Sequence, residues 1–286
     1  MTEVTIASAG APALVQDGGR PGRMHQGVPR GGAMIPELLE AANASLGNAP
    51  GAAALEAFGE LRLEIAGDPL WISVDGAPSL AAAGSTFVVE RPTALVARYV
   101  AFRGALDVPE KLGGRGALPV AGIGRALKKG DRLRVDPGPA ASRPEPASVQ
   151  PRLDLEAPVR VIRGPDLDRF GGEDGASALE VLAASGFTVS PASDRTGTRL
   201  TGAALPRTGD DRPGPAPMVR GALQVPASGE LIALGPDHPV TGGYPVVAVV
   251  IQADWGLISG RRPGSRVRFR LVEPDEARAA LRPQEK

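Results

Sequence analysis

Glycine or proline occupies nearly every fourth position of this chain, 38 and 29 residues of 286, and that limits what it can build. Glycine weakens helix interiors and proline breaks them, so regular elements must be short and turns frequent. Between these breakers lie brief apolar runs: "LRLEI" (61–65), "LWISV" (70–74), "ALVARYVAF" (94–102), "VRVI" (159–162), "LIAL" (231–234), "VVAVVI" (246–251) and "RVRFRLV" (266–272). Short runs at regular spacing predict a mainly β chain of barrels or sandwiches. The last run alternates, with Val267, Phe269 and Leu271 on one face and Arg266, Arg268 and Arg270 on the other. Two segments keep a helical period instead. "MIPELLEAANASLGN" (34–48) lines up Ile35, Leu38, Leu39, Ala42 and Leu46 and stops at Gly47–Asn48. "SALEVLAASG" (177–186) opens with Ser177 and Glu180 at capping-box spacing.

The length exceeds one typical core, which predicts two domains. The boundary is expected in "DPGPAASRPEPASVQPRLDLEAP" (136–158), where dense proline reads as a stiff linker. The expected layout is residues 1–140, a linker at 141–157, and residues 158–286. A faint repeat suggests two related halves. "KKGDRLRV" (128–135) matches "RPGSRVRF" (262–269) through Gly130/Gly264, Arg132/Arg266 and Arg134/Arg268, and "QDGGRPG" (16–22) echoes "SDRTG" (193–197).

Several function classes are excluded or disfavoured. Formal net charge is zero and aromatics make up 3%, which suits neither a nucleic-acid groove nor a base-stacking platform. There are no cysteines, so disulfides and thiolate chemistry are out, and a reducing cytoplasm is the expected location. The start carries no signal-peptide pattern, and "YPVVAVVI" (244–251) is too short to span a bilayer, so no membrane partner is expected. P-loop, H-E-x-x-H, G-x-S-x-G and biotin-carrier Ala-Met-Lys-Met motifs are absent, and only His25 and His238 could supply imidazole. A self-sufficient hydrolase or kinase is therefore not expected, any catalytic role would supply half a site, and no metal site is expected.

Three polar clusters remain. "VQDGGRPGRMHQGVPRGGAM" (15–34) sets Gln16, Asp17, Arg20, Arg23, His25, Gln26 and Arg30 among glycines. Its arginines could clamp a carboxylate or phosphate, or the segment could be a loop tied by Asp17 and Arg20. "VSPASDRTGTRL" (189–200) presents Ser193, Asp194 and Arg195 in a turn. The acid could orient a substrate held by Arg195. Alternatively the acid accepts backbone N–H bonds while the arginine ties down a neighbouring loop. "GPDHPVTGGYPVVAVVIQADWG" (235–256) places Asp237, His238 and Asp254 near the Gly242–Gly243–Tyr244 turn. There His238 is either a general base or a loop histidine.

In these clusters the chain resembles the family of the 5-oxoprolinase C subunit, also known as allophanate hydrolase subunit 2, kinase-inhibitor antagonist or biotin-dependent carboxyltransferase-like. The resemblance runs over roughly residues 4 to 272. It rests on "VQDGGRPGRMHQGVPRGGAM", "AANASLGN" (41–48), "SPASDRTGTRL" (190–200) and "TGGYPVVAVVIQAD" (241–254), in the family order. It implies two cyclophilin-like β-barrels with a site in a cleft between or beside them. It implies a subunit-1-like partner (the B subunit) and, in 5-oxoprolinase, a third, LamB/YcsF-like partner (the A subunit). Together these open the lactam of 5-oxo-L-proline to glutamate with ATP, which would be bound with or by the partner. Relatives inside urea amidolyases move a carboxylate from biotin to urea, and biotin is not expected on this chain. A third role is non-catalytic capture of a kinase-inhibitor-like protein.

The chain departs from the family pattern at Ile35, at "GGRGA" (113–117) and at His238-Pro239-Val240, each with loss of a polar group. The expected catalytic set is Asp17, Arg20, Asp194, Arg195 and Tyr244. Arg20 and Arg195 would hold an anionic small-molecule substrate, and Asp17 and Asp194 would orient them. Tyr244 with Gly242 and Gly243 would donate to a developing oxyanion. Gln16, His25 and Ser193 complete the expected substrate contacts.

Overall fold

The structure is a computed structural model that describes residues 2–136, 145–208 and 214–281. The chain divides into two compact units, Met1–Leu153 and Asp154–Lys286. The division falls inside the proline-rich run, whose residues 137–144 lie outside the described residues.

The described part of the first unit carries β1 (Thr2–Ala9), β2 (Ala13–Gln16), β3 (Ala54–Ala57), β4 (Leu61–Ala66), β5 (Leu70–Val74), β6 (Ala77–Ala81), β7 (Thr86–Val89), β8 (Arg98–Phe102), β9 (Ala105–Leu106) and β10 (Arg132–Asp136). They form two five-stranded sheets, in the orders β7-β4-β1-β10-β9 and β2-β3-β8-β5-β6. The sheets share one core, where Ile6, Leu63 and Val135 of the first meet Leu55, Ile72 and Phe102 of the second. Helix α1 (Pro36–Ser45) covers the other face of the second sheet. Strand β8 is thus buried on both sides: Val100 and Phe102 face the shared core, and Tyr99 and Ala101 face α1. That explains why "RYVAF" lacks polar alternation.

The expected helical stripe of Ile35, Leu38, Leu39, Ala42 and Leu46 is the face that packs. No side-chain cap closes the start of α1. Instead the Met34 N–H donates to Glu56 Oε2 at 2.9 Å and the Ile35 N–H donates to the Tyr99 hydroxyl at 3.0 Å. That hydroxyl donates in turn to the Glu56 carboxylate. Buried Glu56 and Tyr99 thereby satisfy backbone donors at the helix entrance. The end of the proline-rich run is laid on this unit. The Ala147 and Val149 N–H groups donate to the carbonyls of Ser45 and Gly76, and Leu153 packs against the α1 cluster.

The second unit is a closed barrel of seven strands in the order β11-β18-β15-β16-β13-β12-β19. They are β11 (Val159–Arg163), β12 (Gly186–Val189), β13 (Gly197–Thr201), β15 (Ala222–Gln224), β16 (Leu231–Leu234), β18 (Val246–Val250) and β19 (Arg266–Leu271). A small ribbon pairs β14 (Ala216–Pro217) with β17 (Thr241–Gly242). The parallel pairing of β11 with β19 closes the ring. Phe187 and Phe269 meet edge to face, 5.6 Å between ring centroids. As the alternation predicts, Val267 and Phe269 are buried while Arg266, Arg268 and Arg270 face out. The described residues of the chain are mainly β, as expected. None of their helices is long and apolar enough to cross a membrane.

One expectation fails locally. Helix α2 (Ala176–Ala184) has Gly175 as its N-cap, at φ +71°, and Ser177 makes no capping bond. Ser177 lies inside the first turn, so the cap sits two residues before the position that capping-box spacing predicts. A left-handed glycine redirects the chain before the serine can cap.

The repeat between halves has a structural basis. Gly130 and Gly264 sit at φ +88° and +86° in turns that feed β10 and β19. The Gly130 N–H donates to Ile6 O, and the Ile6 N–H donates to Asp131 O, both at 2.8 Å. The Gly264 N–H donates to Val189 O at 2.8 Å, and the Val189 N–H donates to Ser265 O at 3.0 Å. The same reciprocal pair therefore locks the same left-handed turn in each half, a conformation glycine adopts without strain.

Candidate functional site

In the first unit, β2 ends at Gln16 and delivers Asp17 and Arg20 beneath the segment 111–117. The Gln16 Nε2 donates to Ala117 O at 2.9 Å. The Asp17 carboxylate accepts from the Gly19 N–H at 2.8 Å and from the Arg115 N–H at 2.5 Å. Arg20 is 1% exposed. Its Nε donates to Lys111 O at 2.8 Å, and its Nη2 donates to Gly116 O at 2.5 Å and Gly114 O at 3.3 Å. As placed, Arg20 is a buried brace for this loop and Asp17 fixes its far side. A Cβ at Gly116 would fall 2.8 Å from both Gln16 Oε1 and Asp17 Oδ1, so only glycine lets the loop close on this polar floor. The "GGRGA" departure is thus a tightly seated turn. His25 lies on the surface, in a short 3-10 helix (Met24–Gln26), away from the buried residues of this cluster.

Beside the braced loop opens a cleft of about 630 Å³, lined by Asp17, Asn48, Asp107, Glu110, Arg115 and Arg134 among small residues. Its walls are fixed by hydrogen bonds to backbone groups. The Gly18 N–H donates to Gly51 O at 3.1 Å. The Asn48 amide donates to Phe102 O at 2.8 Å and accepts from the Gly104 N–H at 3.1 Å. Asn48 closes the "AANASLGN" motif, which marks the family resemblance in the sequence without pointing to a site. Arg115, Asp107 and Arg134 were not among the expected site residues.

In the second unit, Ser193, Asp194 and Arg195 do three different jobs. The Ser193 hydroxyl accepts from the Arg199 N–H at 3.0 Å. The exposed Asp194 accepts from the Thr196 and Gly197 N–H groups at 2.8 and 3.1 Å. Arg195 turns away to Asp237, with Nε and Nη2 each 2.8 Å from a carboxylate oxygen. The alternative in which the acid serves the turn and the arginine ties down a neighbouring loop therefore describes this segment. Asp254 likewise takes Arg160 through Nη2 at 2.6 Å and joins β11 to the segment after β18.

Arg195, Asp237 and His238 lie together, with Arg220 stacked 4.6 Å above the Trp255 ring centroid. His238 is 1% exposed. Its Nδ1 lies 2.8 Å from Pro239 O, an acceptor, so Nδ1 carries the proton. Burial pushes the imidazole below its ordinary value of 6.5. The Pro239 carbonyl opposes that shift, nearby Arg220 adds to it, and Asp237 opposes it. A pKa depressed in the folded state means that the unfolded chain binds the extra proton more readily. The second unit should therefore lose stability as pH falls through about 6.5 towards the lower folded value. Denaturant titrations at pH 7.5 and 5.5 check this, and His238→Asn should reduce the difference. Gly242 pairs with Ala216 and faces Gln224 and Met218, and Tyr244 is 36% exposed at the end of that turn.

The structure thus brings Gln16, Asp17 and Arg20 together in one unit. In the other it brings Arg195 together with Asp237 and His238, while Ser193 and Asp194 are engaged by their own turn.

Residues 26–271 match the model of the carboxyltransferase domain, subdomain A and B. The chain belongs to this carboxyltransferase domain family. It is 32% identical to the C subunit of 5-oxoprolinase from Escherichia coli, over 98% of this chain and 95% of that protein. It is 28% identical to urea amidolyase of Lachancea kluyveri over 96% of this chain, but spans only 17% of that protein. The crystal structure of Kluyveromyces lactis urea carboxylase superposes with a TM-score of 0.83 at 25% identity, over 96% of this chain and 28% of that one. The likeness to family members thus covers both halves of the chain.

Proposed function

We propose that this chain is the C subunit of an ATP-dependent 5-oxoprolinase, a cytoplasmic assembly in which it acts with a subunit-1-like partner and a LamB/YcsF-like partner. The observation that carries the reading is the nearly end-to-end match with the Escherichia coli protein, 98% of this chain against 95% of that one. Identity to the urea amidolyase of Lachancea kluyveri is lower, 28% over 96% of this chain. The cleft has four carboxylates, Asp17, Asp107, Glu110 and Asp136, against Arg115 and Arg134. That acidic excess repels a triphosphate, which favours nucleotide binding on the partner. This chain would then supply a rigid, glycine-lined cleft for the small molecule, with Arg20 and Asp17 positioning its wall.

The test is steady-state ATP hydrolysis by the complex of this chain with its partner subunits, titrated with 5-oxo-L-proline. The expected result is a saturable increase in ATP turnover. Hydrolysis independent of 5-oxo-L-proline would overturn the reading. Urea-dependent turnover with a biotin carrier would instead assign the chain to the second branch of the family.

A further inference from the structure

The first unit's cleft has a charge pattern that its own packing does not use. Two of its carboxylates are engaged. Asp17 accepts two backbone N–H bonds, and Asp136 has a partner of its own. The other charged groups are not closely paired with one another, although the Arg115 guanidinium donates to Val108 O. Among the described residues, neither the Arg134 guanidinium nor the Asp107 carboxylate makes a hydrogen bond or ion pair. Yet the Asp107 N–H donates to Arg134 O at 2.9 Å, so the two residues are neighbours across one ladder. Arg115 and Glu110 stand 3.8 Å apart, a long contact between half-exposed groups. Two cations and two anions therefore line a preformed cavity of about 630 Å³ without neutralising one another closely. The walls between them are mostly glycine and alanine, so a ligand can reach the charged groups without displacing bulk.

We propose that this cleft binds an α-amino acid zwitterion, with Arg134 and Arg115 taking carboxylate oxygens and Asp107 and Glu110 taking the ammonium group. Taken with the proposed function, on which this part rests, the amino acid is the ring-opened product. Ring opening adds water across the lactam C–N bond. The carbonyl carbon gains an oxygen and becomes a carboxylate, and the nitrogen takes up protons and becomes an ammonium. The lactam offers one carboxylate and a neutral N–H in place of the ammonium, so it gains less from the acidic half of the cleft. The product uses both halves. The cleft thus favours the open form and holds it after the bond has broken.

Titration calorimetry on the full chain at low salt tests this with L-glutamate, 5-oxo-L-proline and glutarate, which lacks the amine. L-Glutamate should bind at least about tenfold more tightly than either of the others, the effect of one charge-assisted contact. Asp107→Asn should remove that preference by weakening L-glutamate without weakening glutarate, and Arg134→Gln should weaken all three. Both side chains face out of the fold, and circular dichroism confirms that the variants remain folded. Equal affinity for glutamate and glutarate, unaltered binding in both variants, or no binding at all would overturn the proposal. If the chain binds glutamate as expected but the complex fails to open the lactam, the assigned reaction falls and the zwitterion site stands.

Discussion

Replacing Asp237 with alanine is expected to destabilise the second unit by about 3–5 kcal/mol, the range for removing one partner of a buried ion pair. Its side chain is 2% exposed and that of Arg195 is 11%, so little water is available to screen the arginine once the carboxylate is gone. Two parallel bonds of 2.8 Å join them, the geometry in which a guanidinium gains most from a carboxylate. The loop that carries Asp237 is also tied to the "SDRTG" turn by the Asp237 N–H donating to Arg195 O and the Gly235 N–H donating to Thr196 O. Asp237→Asn should cost less, because the amide keeps an acceptor. The double change Arg195→Met with Asp237→Leu should recover much of the loss, since an apolar pair can replace a buried ion pair. Urea unfolding of the four proteins, followed by Trp255 fluorescence in the second unit, reads these differences. A loss below about 1 kcal/mol for Asp237→Ala would show that the pair is not what holds the loop.

Arg20→Ala should have a comparable effect in the first unit, about 3–5 kcal/mol. It deletes a large buried side chain and charged hydrogen bonds to three carbonyls. The segment 111–117 would lose its brace, and amide exchange at Gly114, Arg115 and Gly116 should accelerate together. Arg20→Lys should not rescue it, because one ammonium cannot serve carbonyls as far apart as those of Lys111 and Gly116. Because this segment forms one wall of the cleft, ligand affinity should fall with loop order even though Arg20 is itself buried. A variant with normal stability and normal exchange in the loop would contradict the brace.

How much of this was legible depends on the range of each interaction. Runs such as "LWISV" and "LIAL" coincide with strands because alternation and flanking turns are local signals. The longer run at 94–102 yields a strand only from Arg98, since its first half holds a single bridge residue, Leu95, and not a ladder. The Asx turn at Asp194 was open to reading, as its bonds reach only two and three residues. The partner of Arg195 was not, because Asp237 lies 42 residues away and nothing in "GPDHP" marks the contact. The Arg20 partners are 91 to 96 residues distant and are carbonyls, which every sequence position offers equally. Pairing of β11 with β19, which closes the barrel, is likewise a tertiary event with no local signature. Arg134 stands out in the sequence only as a match in a repeat. Its place at the cleft follows from the pairing of β10 with the short β9, too brief to register as a strand pattern.

Whether this chain is required for lactam opening is read most directly by an omission experiment. Partner subunits are incubated with 5-oxo-L-proline and ATP, with and without this chain, and the release of primary amine is followed. Amine release is expected only when the chain is present, and reduced release is expected with Arg20→Ala. Equal release without the chain, or none with the complete set of subunits, would contradict that requirement.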